Sequence, residues 1–431
     1  MINIIIGFFI GFAIGVTVIS LIVHEKLKKD SQGYVEEMTA DKDTAYQRLK
    51  NRIMLLSRGI ILPPRHWWIP VRHIQSFYGG AGPRGRIYFI SYGENEDNVS
   101  EMISLPIYPK NHYLAKYALP AKRDNKNTHN LSIENGIKLI GRRPTKAREM
   151  KFSDGRSVGK TGLINVHCYG TYSTTASWDC RYHDNKEQCK YCTIGLTKKW
   201  INTNNLSDKY IVEALKLTCD NSKIRSVTIT GGTEGTPEET VRHLINLAEK
   251  VQEKVAISIH VQFEPISDYS LFKELSKHVD SVGIFLEIFD EGIRKLICPG
   301  KGKISKEKYF ENWREAVKIF GRGKVGTSCL LGFGESYGHI LKDIEECIKL
   351  GVVVMPLLIR AGSPYLGERF IPSYIGKEDA LLDFHIKVAQ LLIENNLGVE
   401  IGKVSGCIGC MGCSAIMQAC QYVRIRDNNI T

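Results

Sequence analysis

The chain has 431 residues, 43% of them hydrophobic and 24% charged, with 58 Lys+Arg against 46 Asp+Glu for a formal net charge of +12. That composition is globular, which excludes a disordered, collagen-like or coiled-coil chain, and the length predicts two or three domains or one large α/β barrel with extensions. Basic residues are scattered in pairs such as Lys28-Lys29, Arg142-Arg143 and Lys198-Lys199, with no stripe interleaved with aromatics. This argues against nucleic acid and for attraction to an anionic membrane face.

Ile4 to Val23 is a run of 20 residues without a charge. As a helix it spans about 30 Å, the thickness of a bilayer's hydrocarbon core. No basic segment precedes it, and Lys26, Lys28 and Lys29 follow it, so residues 1–30 are expected to be a single-pass transmembrane anchor with the catalytic body in the cytoplasm. Gly7, Gly11 and Gly15 share one face, a small-xxx-small pattern that suits a homodimer contact.

Residues 31–161 read as a helical connector (Val35–Leu56) and a small mixed α+β domain, rich in short strands such as Arg86–Tyr92, Met102–Tyr108 and Gly136–Ile140. Two glycine-rich stretches, 79–85 and 155–161, lack the order of a phosphate loop and read as turns.

From Gly162 a strand, a loop and a capped helix alternate six times. The predicted strands are Leu163–His167, Ile224–Thr230, Val255–Phe263, Ser281–Phe289, Val325–Phe333 and Val352–Ile359. Helices are expected to start at Ser207, Thr236, Ser267, Ser305 and Ser336, with a last one near Asp379–Asn396. Strands apolar on both faces alternating with helices mean a parallel sheet. The predicted fold class is α/β: a partial (β/α)6 barrel of the TIM type over 162–400, followed by a cysteine-rich cluster-binding tail over 401–431.

The 12 cysteines are too many and too clustered for disulfide staples in a chain this long. Cys180, Cys189 and Cys192 share one loop. Three thiolates can grip three irons of a [4Fe–4S] cube and leave the fourth open to an exogenous ligand. Zinc is the competing reading, with His183 or Cys168 as a fourth ligand. The next strand ends in Gly231-Gly232-Thr233, where glycine lets backbone come close to a ligand, at the end of a parallel barrel where sites are built.

The three-cysteine loop with Tyr191 before its last cysteine, followed by the Gly-Gly-Thr strand end, resembles the radical SAM superfamily. Glu287 in Leu-Glu-Ile-Phe-Asp, Cys-Pro-Gly-Lys (298–301) and Leu-Leu-Gly-Phe-Gly-Glu (330–335) resemble its biotin synthase and lipoyl synthase branch. Gly-Gly-Ala-Gly-Pro (79–83), Val-Gln-Phe-Glu-Pro (261–265) and Phe-Gly-Arg-Gly-Lys-Val (320–325) are similar to the radical SAM proteins encoded beside nitrilases. The resemblance implies that Cys180, Cys189 and Cys192 hold the cluster and that S-adenosylmethionine lies along Gly231, Gly232 and Thr233, with Tyr191 against its adenine and Glu287 as a polar contact. It further implies reductive cleavage to a 5′-deoxyadenosyl radical that abstracts hydrogen from a small-molecule substrate, with a ferredoxin or flavodoxin as electron donor. The first cysteine spacing departs from the family's three residues: here it is eight, which leaves Cys168 as a substitute for Cys180.

Glu264 and Arg360, near strand ends, are candidate catalytic residues, and a guanidinium at a barrel mouth suits a carboxylate or phosphate. Gln262 is a candidate to orient a substrate. In the tail, Cys407-x2-Cys410-x2-Cys413-x6-Cys420 reads as a second [4Fe–4S] cluster, with Cys420 in place of the ferredoxin Cys-Pro. Cys219 and Cys347 read as core. The alternative from another class is an iron–sulfur protein that only relays electrons at the membrane.

Overall fold

The computed structural model describes residues 41–61, 78–79, 82–83, 86–92, 99–108, 117–118, 131–133, 137–140, 150–200, 207–221, 224–360, 363–367, 369–400 and 403–428. The expected anchor at 1–30, with Gly7, Gly11 and Gly15, lies outside the described residues. Among the described residues no helix is long and apolar enough to cross a membrane.

The expected connector contains helix α1, Lys42–Arg58, capped by Asp41, whose carboxylate accepts from Thr44 N–H at 2.7 Å. Helix α1 buries Leu49, Ile53, Leu55 and Leu56 in the main core. The mixed domain behind it has a four-stranded antiparallel sheet, ordered Val99–Leu105, Arg86–Tyr92, Ile137–Ile140, Leu131–Ile133. Its strand Val99–Leu105 also buries Ile103 and Leu105 in that core.

Six parallel strands follow, each paired with the next: β1 (Thr171–Thr175), β2 (Ser226–Thr230), β3 (Ser258–Phe263), β4 (Ser281–Ile284), β5 (Val325–Leu331) and β6 (Val352–Leu358). Among the described residues β6 does not pair back to β1, so the curled sheet is an open, partial (β/α)6 barrel. Every residue of β5 is buried, as a strand covered on both faces requires. Helices α2 (Asp208–Asn221), α3 (Pro237–Gln252), α4 (Ser270–Leu275), α5 (Glu291–Ile297), α6 (Lys306–Phe320), α7 (Tyr337–Leu350) and α8 (Glu378–Glu394) accompany the strands. Trp313 of α6 is fully buried and donates its indole N–H to Ile284 C=O at 2.9 Å.

Local chemistry sets the helix starts. At α3 the capping box is complete: Thr236 Oγ1 accepts from Glu239 N–H, and Glu239 Oε2 accepts from Thr236 N–H at 2.8 Å, with Pro237 in the first turn. Ser305 caps α6 through Lys308 N–H at 3.3 Å. The expected start at Ser267 moves to Ser270, because Asp268 Oδ1 takes the Ser270 N–H at 3.2 Å and Ser267 N–H goes to Glu238.

Two strand expectations change. Asn165–Val166, inside the expected first strand, is only an antiparallel arm, and the first parallel strand is β1. Its sequence, Thr-Tyr-Ser-Thr-Thr, carries no aliphatic run, yet all five residues are buried. Threonine has the branched shape a covered strand packs, and Thr171 and Ser173 satisfy their hydroxyls on Ser226 and His167. Strand β4 stops at Ile284 rather than Phe289, since Glu287 takes a left-handed φ of 67° and makes only an isolated bridge to Cys329.

The tail folds as a short helix α9 (Gly406–Cys410) and a longer α10 (Ile416–Asn428). It fills the concave side of the sheet from the strand starts: Gly406 N–H donates to Ser226, Ser405 bonds Ser281, and Ser414 donates to Pro356 C=O at 2.6 Å.

Candidate functional site

The cysteine loop leaves the end of β1 and is held there by close packing. A Cβ on Gly232 would lie 2.0 Å from Asp179 O and 2.7 Å from Cys180 Cβ. Glycine at this strand end therefore admits the loop that carries the thiols. Arg181 N–H donates to Thr233 C=O at 2.9 Å, and Gly232 N–H to Ser177 C=O at 3.0 Å.

On the loop's far side, Lys190 N–H donates to Ile297 C=O at 2.8 Å and Gly300 N–H to Glu187 C=O at 3.1 Å. Gly300 lies so close to the Tyr182 ring that a Cβ would come within 2.1 Å of it. The Cys-Pro-Gly-Lys segment thus clamps the loop. These contacts fold the loop that carries Cys180, Cys189 and Cys192 compactly against the strand end despite the eight-residue first spacing. Burial holds the Cys180 thiol up and pushes Cys192 to about 12. Bare thiols there are neutral, and a bound metal cluster supplies the positive charge that lets them ionise.

The donor set fits a [4Fe–4S] cube. His183 is turned to Tyr365 Oη at 3.2 Å and against Gly195, and Cys168 lies at the opposite end of β1, so neither completes a zinc tetrahedron with the three. Among the described residues, the one trio of ligand atoms lying within 4.8 Å of each other is Cys189, Glu287 and Cys298. Cys298, the first residue of the Cys-Pro-Gly-Lys segment, is thereby a residue of this site. Its signal was the Cys-Pro-Gly-Lys segment.

Tyr191 is buried, and its hydroxyl donates to Glu287, whose carboxylate also accepts from Lys301 Nζ at 2.8 Å. Cys298 Sγ is 3.7 Å from the same hydroxyl. Burial pushes the Tyr191 phenol well above its usual range, so it remains a donor. The structure thus joins the two expected cofactor contacts, Tyr191 and Glu287, in one bonded chain beside Cys189.

Gly231 and Gly232 line a cavity of about 230 Å³ with Ala176, Ser177, Glu234, His243 and Gln262. Thr233 is buried next to it. The two catalytic candidates are committed elsewhere. Glu264, 5% exposed, accepts from Tyr182 Oη at 3.0 Å and pairs with Arg181 at 3.5 Å, so it anchors the cysteine loop. Arg360 donates to Ser104 C=O at 2.9 Å, tying the end of β6 to the strand Val99–Leu105.

In the tail, Cys407, Cys410 and Cys413 lie together on the concave side, and Cys410 Sγ is 3.4 Å from Cys168 O. Cys420 does not join them: it is buried on α10, with Val399 N–H and Arg424 as its polar neighbours. Cys219 and Cys347 sit on α2 and α7, as expected.

A profile of the Radical SAM superfamily matches residues 180–347. The bacteriochlorophyllide c C-7(1)-hydroxylase of Chlorobaculum limnaeum is 27% identical over 277 residues, 57% of this chain and 65% of that protein. The 5-amino-6-(D-ribitylamino)uracil–L-tyrosine 4-hydroxyphenyl transferase of Archaeoglobus fulgidus is 24% identical over 227 residues, 48% of this chain and 61% of its own. The chain spans somewhat under two thirds of the length of the curated relatives it matches. The FeFe-hydrogenase maturase HydG from Carboxydothermus hydrogenoformans superposes with a TM-score of 0.40 at 15% identity, over 53% of this chain and 52% of that one. The matched stretch begins at Cys180, where the cysteine loop is seated on the Gly-Gly strand end, so residues 180–347 are a radical SAM domain.

Proposed function

We propose that the protein cleaves S-adenosylmethionine reductively at a cluster held by Cys180, Cys189 and Cys192, and directs the resulting radical at a small-molecule substrate. The observation that carries this reading is the Gly232 contact: the loop that bears the three thiols packs directly on the strand end, with Asp179 O and Cys180 Cβ where a side chain would sit. When bound, the cluster supplies one electron that splits the cofactor's carbon–sulfur bond and leaves a 5′-deoxyadenosyl radical, which takes hydrogen from the substrate. The chain's own residues position and shield. Glu264 fixes the loop through Tyr182 and Arg181, and the Tyr191–Glu287–Lys301 chain keeps a buried polar wall beside Cys189. Arg360 and Glu264 act as positioning groups in this reading.

The relatives' activities, a hydroxylation of a bacteriochlorophyllide and a transfer from L-tyrosine, support a small organic substrate. Placement in the biotin and lipoyl synthase branch, nearest the proteins encoded beside nitrilases, rests on the stretches quoted above. A second [4Fe–4S] cluster in the tail, an electron donor such as ferredoxin or flavodoxin, and a single-pass anchor at residues 1–30 with homodimer contact through Gly7, Gly11 and Gly15 complete the reading.

Reduced, anaerobically reconstituted protein given S-adenosylmethionine should form 5′-deoxyadenosine slowly without substrate, and Cys189→Ala should abolish it. If fully loaded, reduced protein makes none, the electron-relay reading takes its place. Removing residues 1–30 should release a folded protein into the soluble fraction. A truncated protein that still pellets with membranes after a high-salt wash sinks the anchor.

A further inference from the structure

We propose that Cys168, Cys407, Cys410 and Cys413 together hold the second [4Fe–4S] cluster, with all four corners taken by protein thiolates. The proposal rests on reading the tail as a cluster segment and gives that segment a fourth ligand from 239 residues upstream of Cys407. Cys420, the neighbour in sequence, is left out.

The geometry at Gly412 is the first support. The place a Cβ would take there lies 2.3 Å from Cys168 Sγ and 3.5 Å from Cys410 Sγ. Two thiols remote in sequence therefore face one point, and only glycine leaves that point open. Cys413 follows Gly412 directly in the chain, beside the point that these two thiols face. The tail is wound tightly to achieve this: a Cβ on Gly409 would fall 1.8 Å from Val404 O.

The size of the set favours a cube over one ion. With metal–sulfur bonds of about 2.3 Å, four sulfurs on a single zinc lie roughly 4 Å apart. No three of these four thiols come within 4.8 Å of one another, and the same holds for Cys180, Cys189 and Cys192. The Cys-x2-Cys-x2-Cys spacing is that of a loop wrapped on a cube, which commonly takes its last ligand from elsewhere in the chain.

Charge is the third support. Arg52, fully buried on α1, donates to Ser414 C=O at 2.8 Å and Gly412 C=O at 3.2 Å. A guanidinium cannot shed its proton, so it holds a positive charge against the loop. Arg52 also pairs with Glu101 at 3.3 Å, so its charge is shared between that carboxylate and the negative charge of a thiolate-ligated cluster.

The test uses the full chain with Cys180, Cys189 and Cys192 all changed to Ala, so that iron reports the tail site alone. After anaerobic reconstitution it should carry one cube's iron and sulfide and give a cubane signal by electron paramagnetic resonance on reduction. Adding Cys168→Ala should remove more than half of that iron, while adding Cys420→Ala should leave it. Cys168→Ser, which keeps an oxygen ligand and packs like the thiol, should shift the resonance even where Ala unfolds the loop. Full iron and an unshifted signal in both Cys168 variants would overturn the ligand assignment, as would iron loss on Cys420→Ala or zinc in place of iron. No iron in the triple variant would overturn the tail cluster altogether. Formation of 5′-deoxyadenosine by the wild-type protein, with both cysteine groups intact, reads the proposed activity separately.

Discussion

Gln262 donates from Nε2 to Cys407 Sγ at 3.2 Å, and the same side chain lines the cavity beside Gly231 and Gly232. One amide on β3 therefore touches both the cysteine tail and the cavity at the strand ends. Residues two apart on a strand share a face. His260 packs on Gly406 and Gln262 on Cys407, so β3 presents alternate side chains to the inserted tail.

Hydrogen bonds to ligating sulfur raise a cluster's reduction potential. Gln262→Leu keeps the volume and removes the donor, so the tail cluster's midpoint potential should fall while its iron content holds. A redox titration followed by electron paramagnetic resonance reads this. An unchanged potential would remove the amide's role at the sulfur.

Gly232→Ala places a methyl 2.0 Å from a backbone oxygen of the cysteine loop, a contact that no side-chain rotation relieves. The loop must shift, and near-complete loss of first-site iron is expected, with tail iron retained. Iron analysis with thermal melting checks it: a variant loaded at both sites would show that the loop tolerates displacement.

Arg52→Met is expected to destabilise the fold by about 3–5 kcal/mol, because it takes the ion-pair partner from the buried Glu101 carboxylate, leaving Gln418 as its donor, and removes the donor from three tail carbonyls. Pairing Arg52→Met with Glu101→Leu should recover much of the loss. Urea denaturation of the single and double variants measures it, and equal midpoints for wild type and Arg52→Met would contradict the clamp.

His243 donates from Nε2 to Asp208 Oδ1 at 2.9 Å, and Lys250 Nζ donates to the other oxygen at 3.0 Å. The His243 hydrogen bond holds the Asp208 carboxyl below its usual range, and Asp208 raises the imidazole. The raised His243 contributes stability that is complete below about pH 6.5 and lost as pH rises through its folded value; Asp208 contributes above about pH 4 and loses it as pH falls. Asp208→Asn should therefore cost more at pH 5.5 than at pH 8.5. The partly exposed pair is screened, so the difference should stay under about 1 kcal/mol. Urea midpoints at the two pH values test the sign.

Much of the barrel was legible because its signals are local. A covered parallel strand commonly reads as a largely apolar run, as β6 (Val-Val-Val-Met-Pro-Leu-Leu) does, and a capping box such as Thr236–Glu239 is complete within four residues. The pattern missed β1, where threonine hydroxyls disguise a buried strand, and overran β4, where Glu287 turns left-handed.

The sequence by itself determined the chemistry: two groups of closely spaced thiols, the strand-end glycines that one of them needs, and the alternation that makes a parallel sheet. Only the tertiary structure decided which thiols meet. Spacing along the chain suggested Cys420 for the tail, but α10 carries it toward Val399 and Arg424, while the turn before β1 delivers Cys168. Likewise Glu264 and Arg360 lie near strand ends as expected, yet Tyr182 and Ser104, distant in sequence, occupy them. A residue's type and local period are written in its neighbours, whereas the partner a side chain meets depends on contacts between segments far apart in the chain, which no local pattern records.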